Sequence, residues 1–145
     1  MPLVDAGMRQ LLATGWMHNR VRMVTASFLV KHLHTRWQVG AQHFLDHLID
    51  ADLASNQHGW QWVAGTGTDA APYFRIFNPA LQGEKFDPDA AYIRRWIPEL
   101  SGFELSQAQH QGTVDNSARN SYPDPIVDLD AERRDVLARH QAARS

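Results

Sequence analysis

Gly15-Trp16-Met17-His18-Asn19-Arg20-Val21-Arg22-Met23 sets an amide, two guanidiniums and a thioether within nine residues, at the head of an apolar-periodic run. A helix that only packed would not crowd an asparagine and two arginines onto its first turns. Asn19, Arg22 and Met23 stand at i, i+3 and i+4 and share one helix face. Arg20 projects about 100° away from Asn19, as a 3.6-residue turn dictates. Such a helix can address two ligands, one along its side and one past its N-terminal end. The spacing alone fits a solvated surface helix with ordinary arginines equally well.

Helical patterns surround this stretch. Upstream, Val4, Met8, Leu11 and Leu12 recur at helical spacing, and Gly15 is the stop. Met17, Val21, Val24, Phe28 and Leu29 form the apolar stripe of a second helix, from about His18 to Thr35. Val39, Phe44, Leu45 and Leu48 mark a third. A fourth starts near Asp52 and runs through Trp60 and Val63, until Thr66-Gly67-Thr68-Asp69 breaks it. Pro72 to Pro79 predicts a compact turn or short helix. Asp87-Pro88-Asp89 reads as an N-cap followed by proline at the first helical position. The helix it opens carries Tyr92, Ile93, Trp96 and Ile97, and Pro98 ends it. Ser106 to Ser121 is rich in Gln, Asn, Ser and His, the composition of a mobile surface loop. Tyr122 to Val127 reads as an extended docking segment, because its paired prolines suppress helix. A charged helix from Ala131 to about Ala143 closes the chain. No repeat and no strand emerges, so the fold class is all-α.

The bulk numbers narrow the function. With 145 residues, 43% hydrophobic and 21% charged, the chain fits at most one globular domain with a real core. The net charge of -2 does not advertise nucleic-acid binding, although a whole-chain sum can hide a local basic face. There are no cysteines, which excludes a disulfide framework and thiolate chemistry and fits a cytoplasmic protein. No apolar run approaches the ~20 residues that cross a bilayer. The Met1-Pro2-Leu3-Val4-Asp5 start has no signal-peptide character.

Further stretches carry possible chemistry. In Asp50-Ala51-Asp52-Leu53-Ala54-Ser55-Asn56, the plain reading makes Asp52 a helix N-cap and Asn56 a solvated amide. Trp37 and the tryptophans of Gly59-Trp60-Gln61-Trp62 can all be packing residues. His43 and His47 stand at i, i+4 but lack the intervening glutamate of a metalloprotease pattern, so no metal is expected. Gly65-Thr66-Gly67 follows no strand and lacks a third glycine, which makes it a poor phosphate loop. The last stretch is Asp69-Ala70-Ala71-Pro72-Tyr73-Phe74-Arg75-Ile76-Phe77-Asn78-Pro79, followed by Gln82-Gly83-Glu84-Lys85-Phe86-Asp87.

Together these stretches resemble the flavin domain of the DNA photolyase and cryptochrome family, in particular class I cyclobutane pyrimidine dimer photolyases. The last stretch is the strongest family signature, though it separates repair from signalling poorly. The match runs from Pro2 to about Leu100 and resumes at Tyr122 to Val127. The resemblance implies a helical array corresponding to the C-terminal half of the FAD-binding domain. Residues 1–100 would form a helical FAD- and DNA-binding core, 101–121 a polar loop, and 122–145 a C-terminal docking segment and helix.

By the same resemblance, Arg22, Asp50, Ala51, Asp52 and Asn56 would meet FAD, with Asn56 opposite flavin N5. Asn19, Arg20, Met23, Trp62, Arg75 and Gln82 would meet DNA containing pyrimidine dimers. Trp60 and Trp37 would carry an electron to the flavin. The implied activity is that of a deoxyribodipyrimidine photolyase, which uses reduced FAD and blue light to split the dimer. Asparagine at position 56 and the Met17 to Arg20 run favour repair. A cryptochrome-like photoreceptor and an inactive helical fragment without flavin binding are the alternatives.

The family's upstream parts have no counterpart here: the antenna domain, the flavin-phosphate loop and a glutamate-bearing helix. The pocket is therefore expected to be incomplete, no antenna chromophore is expected, and the missing N-terminal half is an expected partner. His32 stands where repair enzymes often carry an aspartate paired with Arg22. A neutral His32 is expected to leave Arg22 without that aspartate partner, and a charged one to oppose it. Residues 101 to 121 also lack the family's usual sequence, which suggests drift or a frameshift, and the chain as a whole is expected to be a truncated reading frame, a gene fragment or one piece of a split photolyase.

Overall fold

The computed structural model describes residues 1–68, 74–102 and 122–143. Helices, with no strand among the described residues, make up its regular structure. α1 spans Pro2–Thr14, with proline in its first turn where no amide partner is needed. It stops at Gly15, whose φ of 69° puts it in the left-handed region and whose N–H returns to the Leu11 carbonyl at 2.8 Å. α2, Asn19–Ser27, opens with the His18 Nδ1 accepting from the Arg20 N–H at 3.1 Å. It does not continue as α-helix to Thr35. It passes into a π-helical turn, Phe28–His32, closed by the Leu33 N–H to the Phe28 carbonyl at 3.1 Å.

α3, Trp37–His47, and α4, Leu53–Ala64, follow as an antiparallel-connected pair that pack on each other. Asp52 caps α4 by accepting the Ser55 N–H at 2.7 Å, as its sequence position predicts. Gly65, at φ 79°, ends that helix. Phe74 to Asn78 has no regular structure, and Pro72 and Tyr73 lie outside the described residues. Asn78 then starts α5, Pro79–Phe86, a helix the sequence reading did not foresee. Its Oδ1 accepts the N–H groups of Ala80 and Leu81 at 2.9 and 3.2 Å.

The Asp87 expectation needs correcting. Asp87 ends α5, and Ala90, with φ 50°, stands at the N-cap of α6, Ala91–Trp96. Asp87 still serves α6, because its two carboxylate oxygens accept the Tyr92 and Ile93 N–H groups, each at 3.0 Å. Pro88 is therefore not a first helical residue. A 3₁₀ turn, Pro98–Leu100, follows. The loop expected over 106–121 lies outside the described residues. α7, Leu129–Ala142, is capped by Asp128.

The core forms where α1 meets α2, α5 and α6, with Leu11, Met17, Val24, Ile93 and Ile97 fully buried. Removing such side chains from water is the main stabilising term. Two polar fasteners close this side. Arg9 grips Glu99 through both guanidinium nitrogens, at 2.9 and 3.0 Å. The buried Tyr122 donates its hydroxyl to Asp5 Oδ2, tying the 122–127 segment to α1. α7 packs on the π-helical turn, where His34 Nε2 meets Glu132 at 2.6 Å. No helix of the described residues is long and apolar enough to cross a membrane.

Candidate functional site

A cavity of about 200 Å³ opens between α2 and the α3–α4 pair. Its walls include Asn19, Arg22 and Met23 from α2, Asp50, Ala51 and Asp52 from the α3–α4 connection, and Asn56 and Trp60 from α4. Eight residues named from separate stretches of sequence thus come together around one space. The i, i+3, i+4 spacing on α2 supplies one wall. The N-terminal turns of α4, held by the Asp52 cap, supply the opposite one.

Charge in the cavity is ordered by one ion pair. Arg22 donates from one terminal nitrogen to both oxygens of Asp50, at 3.0 and 2.9 Å. Its Nε donates to the Met17 carbonyl at 2.6 Å, which fixes the guanidinium plane. Charge-assisted bonds of this kind are stronger than neutral ones. The absence of a carboxylate at position 32 does not leave Arg22 unpaired. Arg22 has its anionic partner, 28 positions along the chain. His32 instead is buried in the π-helical turn and stacks on Phe28, with ring centroids 5.5 Å apart. Burial lowers the pKa of His32, against the pull of Glu132, and so favours its neutral form.

The amide of Asn56 is oriented too. Its Nδ2 donates to the Ala41 carbonyl at 2.8 Å. That leaves Oδ1 as the acceptor without a protein donor among the described residues. The hydrogen bonds from Ser55 hold Asp52 below the usual carboxylate range, so it stays anionic. Asn19 lies at the exposed rim, with Nδ2 3.8 Å from the Met23 sulfur. Trp60 is 3% exposed and meets Phe44 edge-on, at 5.0 Å between centroids.

Five of the residues named for flavin, DNA or electron transfer lie off this cavity, as do His43 and His47. Trp37 is half-buried on α3. Arg20 covers the exposed ring of Phe86, at 4.6 Å. Arg75 lies over Trp62 at 5.4 Å, and both line a smaller cavity with Phe74 and Lys31. Gln82, on α5, is half-buried. His43 and His47 stack at 4.2 Å, and His47 Nδ1 is engaged by the His43 carbonyl at 2.8 Å.

Sequence reasoning missed Lys31. It is 3% exposed, donates to the Ala64 carbonyl at 3.0 Å and lies 3.7 Å from the Phe74 ring centroid. Burial pushes its pKa down to about 8. A lysine inside an apolar stripe was the available signal.

The chain matches a protein family described as the FAD binding domain of DNA photolyase over residues 1–142. It is 54% identical to the deoxyribodipyrimidine photo-lyase of Escherichia coli strain K12, over 99% of this chain and 31% of that protein. The backbone superposes on a class III photolyase from Agrobacterium tumefaciens with a TM-score of 0.90 and 51% identity, covering 99% of this chain and 31% of the other. A Synechocystis cryptochrome gives a TM-score of 0.90 at 36% identity, covering 94% of this chain and 30% of its own. The chain therefore spans about a third of the length of the relatives it matches.

Proposed function

The chain belongs to the family of the FAD-binding domain of DNA photolyases, and from that premise we propose that it serves light-driven repair of pyrimidine dimers in DNA. In this reading it supplies the part that meets the flavin ring and faces the lesion. The observation that supports this best is the convergence of Arg22, Asp50, Asp52, Asn56 and Trp60 on one cavity.

The residues present fit a flavin ring. A planar heteroaromatic group needs apolar walls and a few polar groups at its edge. The cavity offers Phe44, Trp60 and Val63 as walls, with amide, carboxylate and guanidinium groups at the edge. Bound FAD would supply absorption of blue light and transfer of an electron to the dimer. Arg22 presents a fixed positive charge, and Asp50 holds its plane. With Nδ2 held by the Ala41 carbonyl, Asn56 would offer Oδ1 to a protonated ring nitrogen of the flavin. Trp60 and Trp37 are the proposed electron carriers through the protein. Ala51 and Asp52 complete the polar edge.

The DNA-facing roles fall to Asn19, Arg20, Met23, Trp62, Arg75 and Gln82. Guanidinium groups suit phosphate, and Trp62 offers a flat face to an extruded pyrimidine dimer. We assign cyclobutane dimers from the Met17 and Met23 context and a class I character from the family resemblance, while one similar structure is of class III. The missing upstream wall would come from a further photolyase segment.

Titration of the purified chain with FAD, followed by flavin fluorescence, tests the reading. Saturable uptake, then loss of dimers under blue light in the presence of the upstream segment, is the expected result. Absence of uptake under both conditions would overturn it. The cryptochrome likeness supports a second reading, a photoreceptor. Flavin uptake with no dimer repair would favour that one.

A further inference from the structure

We propose that Gly40 is a positioning residue that sets the place of the Trp60 indole, and with it the depth of the cavity; the link to flavin rests on the function proposed above. Gly40 sits on α3 and has no side chain to offer. A Cβ built there would lie 2.1 Å from Cη2 and 2.4 Å from Cζ3 of Trp60. It would also come within 2.7 Å of a Leu29 methyl. Carbon atoms rest at about 3.5–4.0 Å, so even a methyl group would force the indole back by roughly 1.4 Å.

The ring has few directions in which to move. It is 3% exposed, and the Phe44 ring stands edge-on to it at 76° and 5.0 Å. Phe44 and Gly40 lie on the same face of α3, one turn apart. Together they form a step and a flat tread into which the indole fits. Trp60 borders the cavity and Gly40 does not. The space open to a displaced indole is therefore the cavity itself. Any side chain at position 40 would push Trp60 toward whatever ring occupies that space. Gly40 acts through Trp60 and touches no ligand.

A double-mutant cycle separates placement from general damage to packing. The parent chain, Gly40→Ala, Trp60→Phe and the Gly40→Ala/Trp60→Phe double variant are titrated with FAD, and their near-UV circular dichroism is recorded without flavin. The expected result is about a tenfold loss of FAD affinity for Gly40→Ala, as overpacking of this kind implies. In the Trp60→Phe background, where the smaller ring leaves the space free, the same change should cost less than about twofold. Near-UV signals should follow the same pattern, with the far-UV helix signal unchanged. Equal losses in both backgrounds, or no change in either readout on Gly40→Ala, would overturn the inference. If Gly40→Ala alone unfolds, recovery of the fold in the double variant supports the clash, and failure to recover overturns it. If the parent takes up no FAD, the flavin reading fails, and the near-UV coupling still decides the placement of Trp60.

Discussion

The two ends of α4 are held by cations from one continuous helical run, and the two ends solve the problem differently. At the N-terminal end, Arg22 of α2 grips Asp50, just ahead of the Asp52 cap. The pair is half-open to water, with side chains 23% and 49% exposed. At the C-terminal end, Lys31 of the π-helical turn reaches the carbonyl of Ala64, the last helical residue. It is buried, and its described partners are a carbonyl and an aromatic face. A cation near a helix C-terminus is favoured by the aligned peptide dipoles, but burial without a carboxylate makes its charge costly. The wet end carries a half-open ion pair and faces the cavity. The dry end holds a cation that burial weakens, and acts as a fastener. The proposed flavin site lies at the wet end.

Trp60, between these ends, gives the largest expected effect. Trp60→Ala should cost about 3–5 kcal/mol in urea unfolding. A loss below about 1 kcal/mol would mean that the two cationic ends hold α4 without its buried middle.

The dry end predicts a pH signature. The folded pKa of Lys31, about 8, lies below its ordinary value of 10.5. Between these values the unfolded chain binds more protons than the folded one, so stability rises as pH climbs above about 8. The difference in stability between the parent and Lys31→Met, measured from pH 7 to 9.5, should show that rise in the parent alone. Tyr92 and Tyr122, both pushed above their ordinary value by burial, act oppositely near pH 10 and equally in both chains. Parallel curves would erase the contrast between the two ends.

The wet end predicts an effect on binding rather than on folding. Asp50→Asn should weaken FAD binding about tenfold by removing the carboxylate charge that pairs with the Arg22 guanidinium. Its stability should change by less than about 1 kcal/mol, as for other solvent-screened pairs. An unchanged affinity would separate the clamp from the flavin. The smallest clear effect is Asp52→Ala, with a small drop in the urea midpoint from loss of the cap in the same assay. No loss there would leave Arg22 as the sole support of that end.

The sequence reveals the parts of this arrangement that depend on local rules. The stripes of α1 to α4, the Gly15 stop and the Asp52 cap follow from spacing and capping chemistry within one or two turns. The cavity residues were legible through the family resemblance of three stretches, since spacing alone fits a solvated helix, an N-cap and packing tryptophans equally well. The Arg22–Asp50 pair, the role of Lys31 and the bare face at Gly40 depend on which helices meet, and spacing cannot report that. α5 escaped notice because it is short and lies between prolines and a charged run. The Asp87 carboxylate caps α6 across a bend, a register that simple N-cap reasoning does not anticipate. His32 was read by analogy of position, yet the π-helical turn buries it away from Arg22.

That turn also gives the chain one residue of slack. The Leu33 N–H reaches back to Phe28 and the Thr35 N–H to Leu29, both at 3.1 Å, so the coil is wider there than an α-helix. Deleting one residue between Phe28 and His32 would let the coil relax to ordinary α-helical pitch. The segments on either side would keep nearly the same direction, because a wide turn closes with one residue more than an α-helical turn does. Length, at this one place, is a looser constraint than it is along the rest of the run.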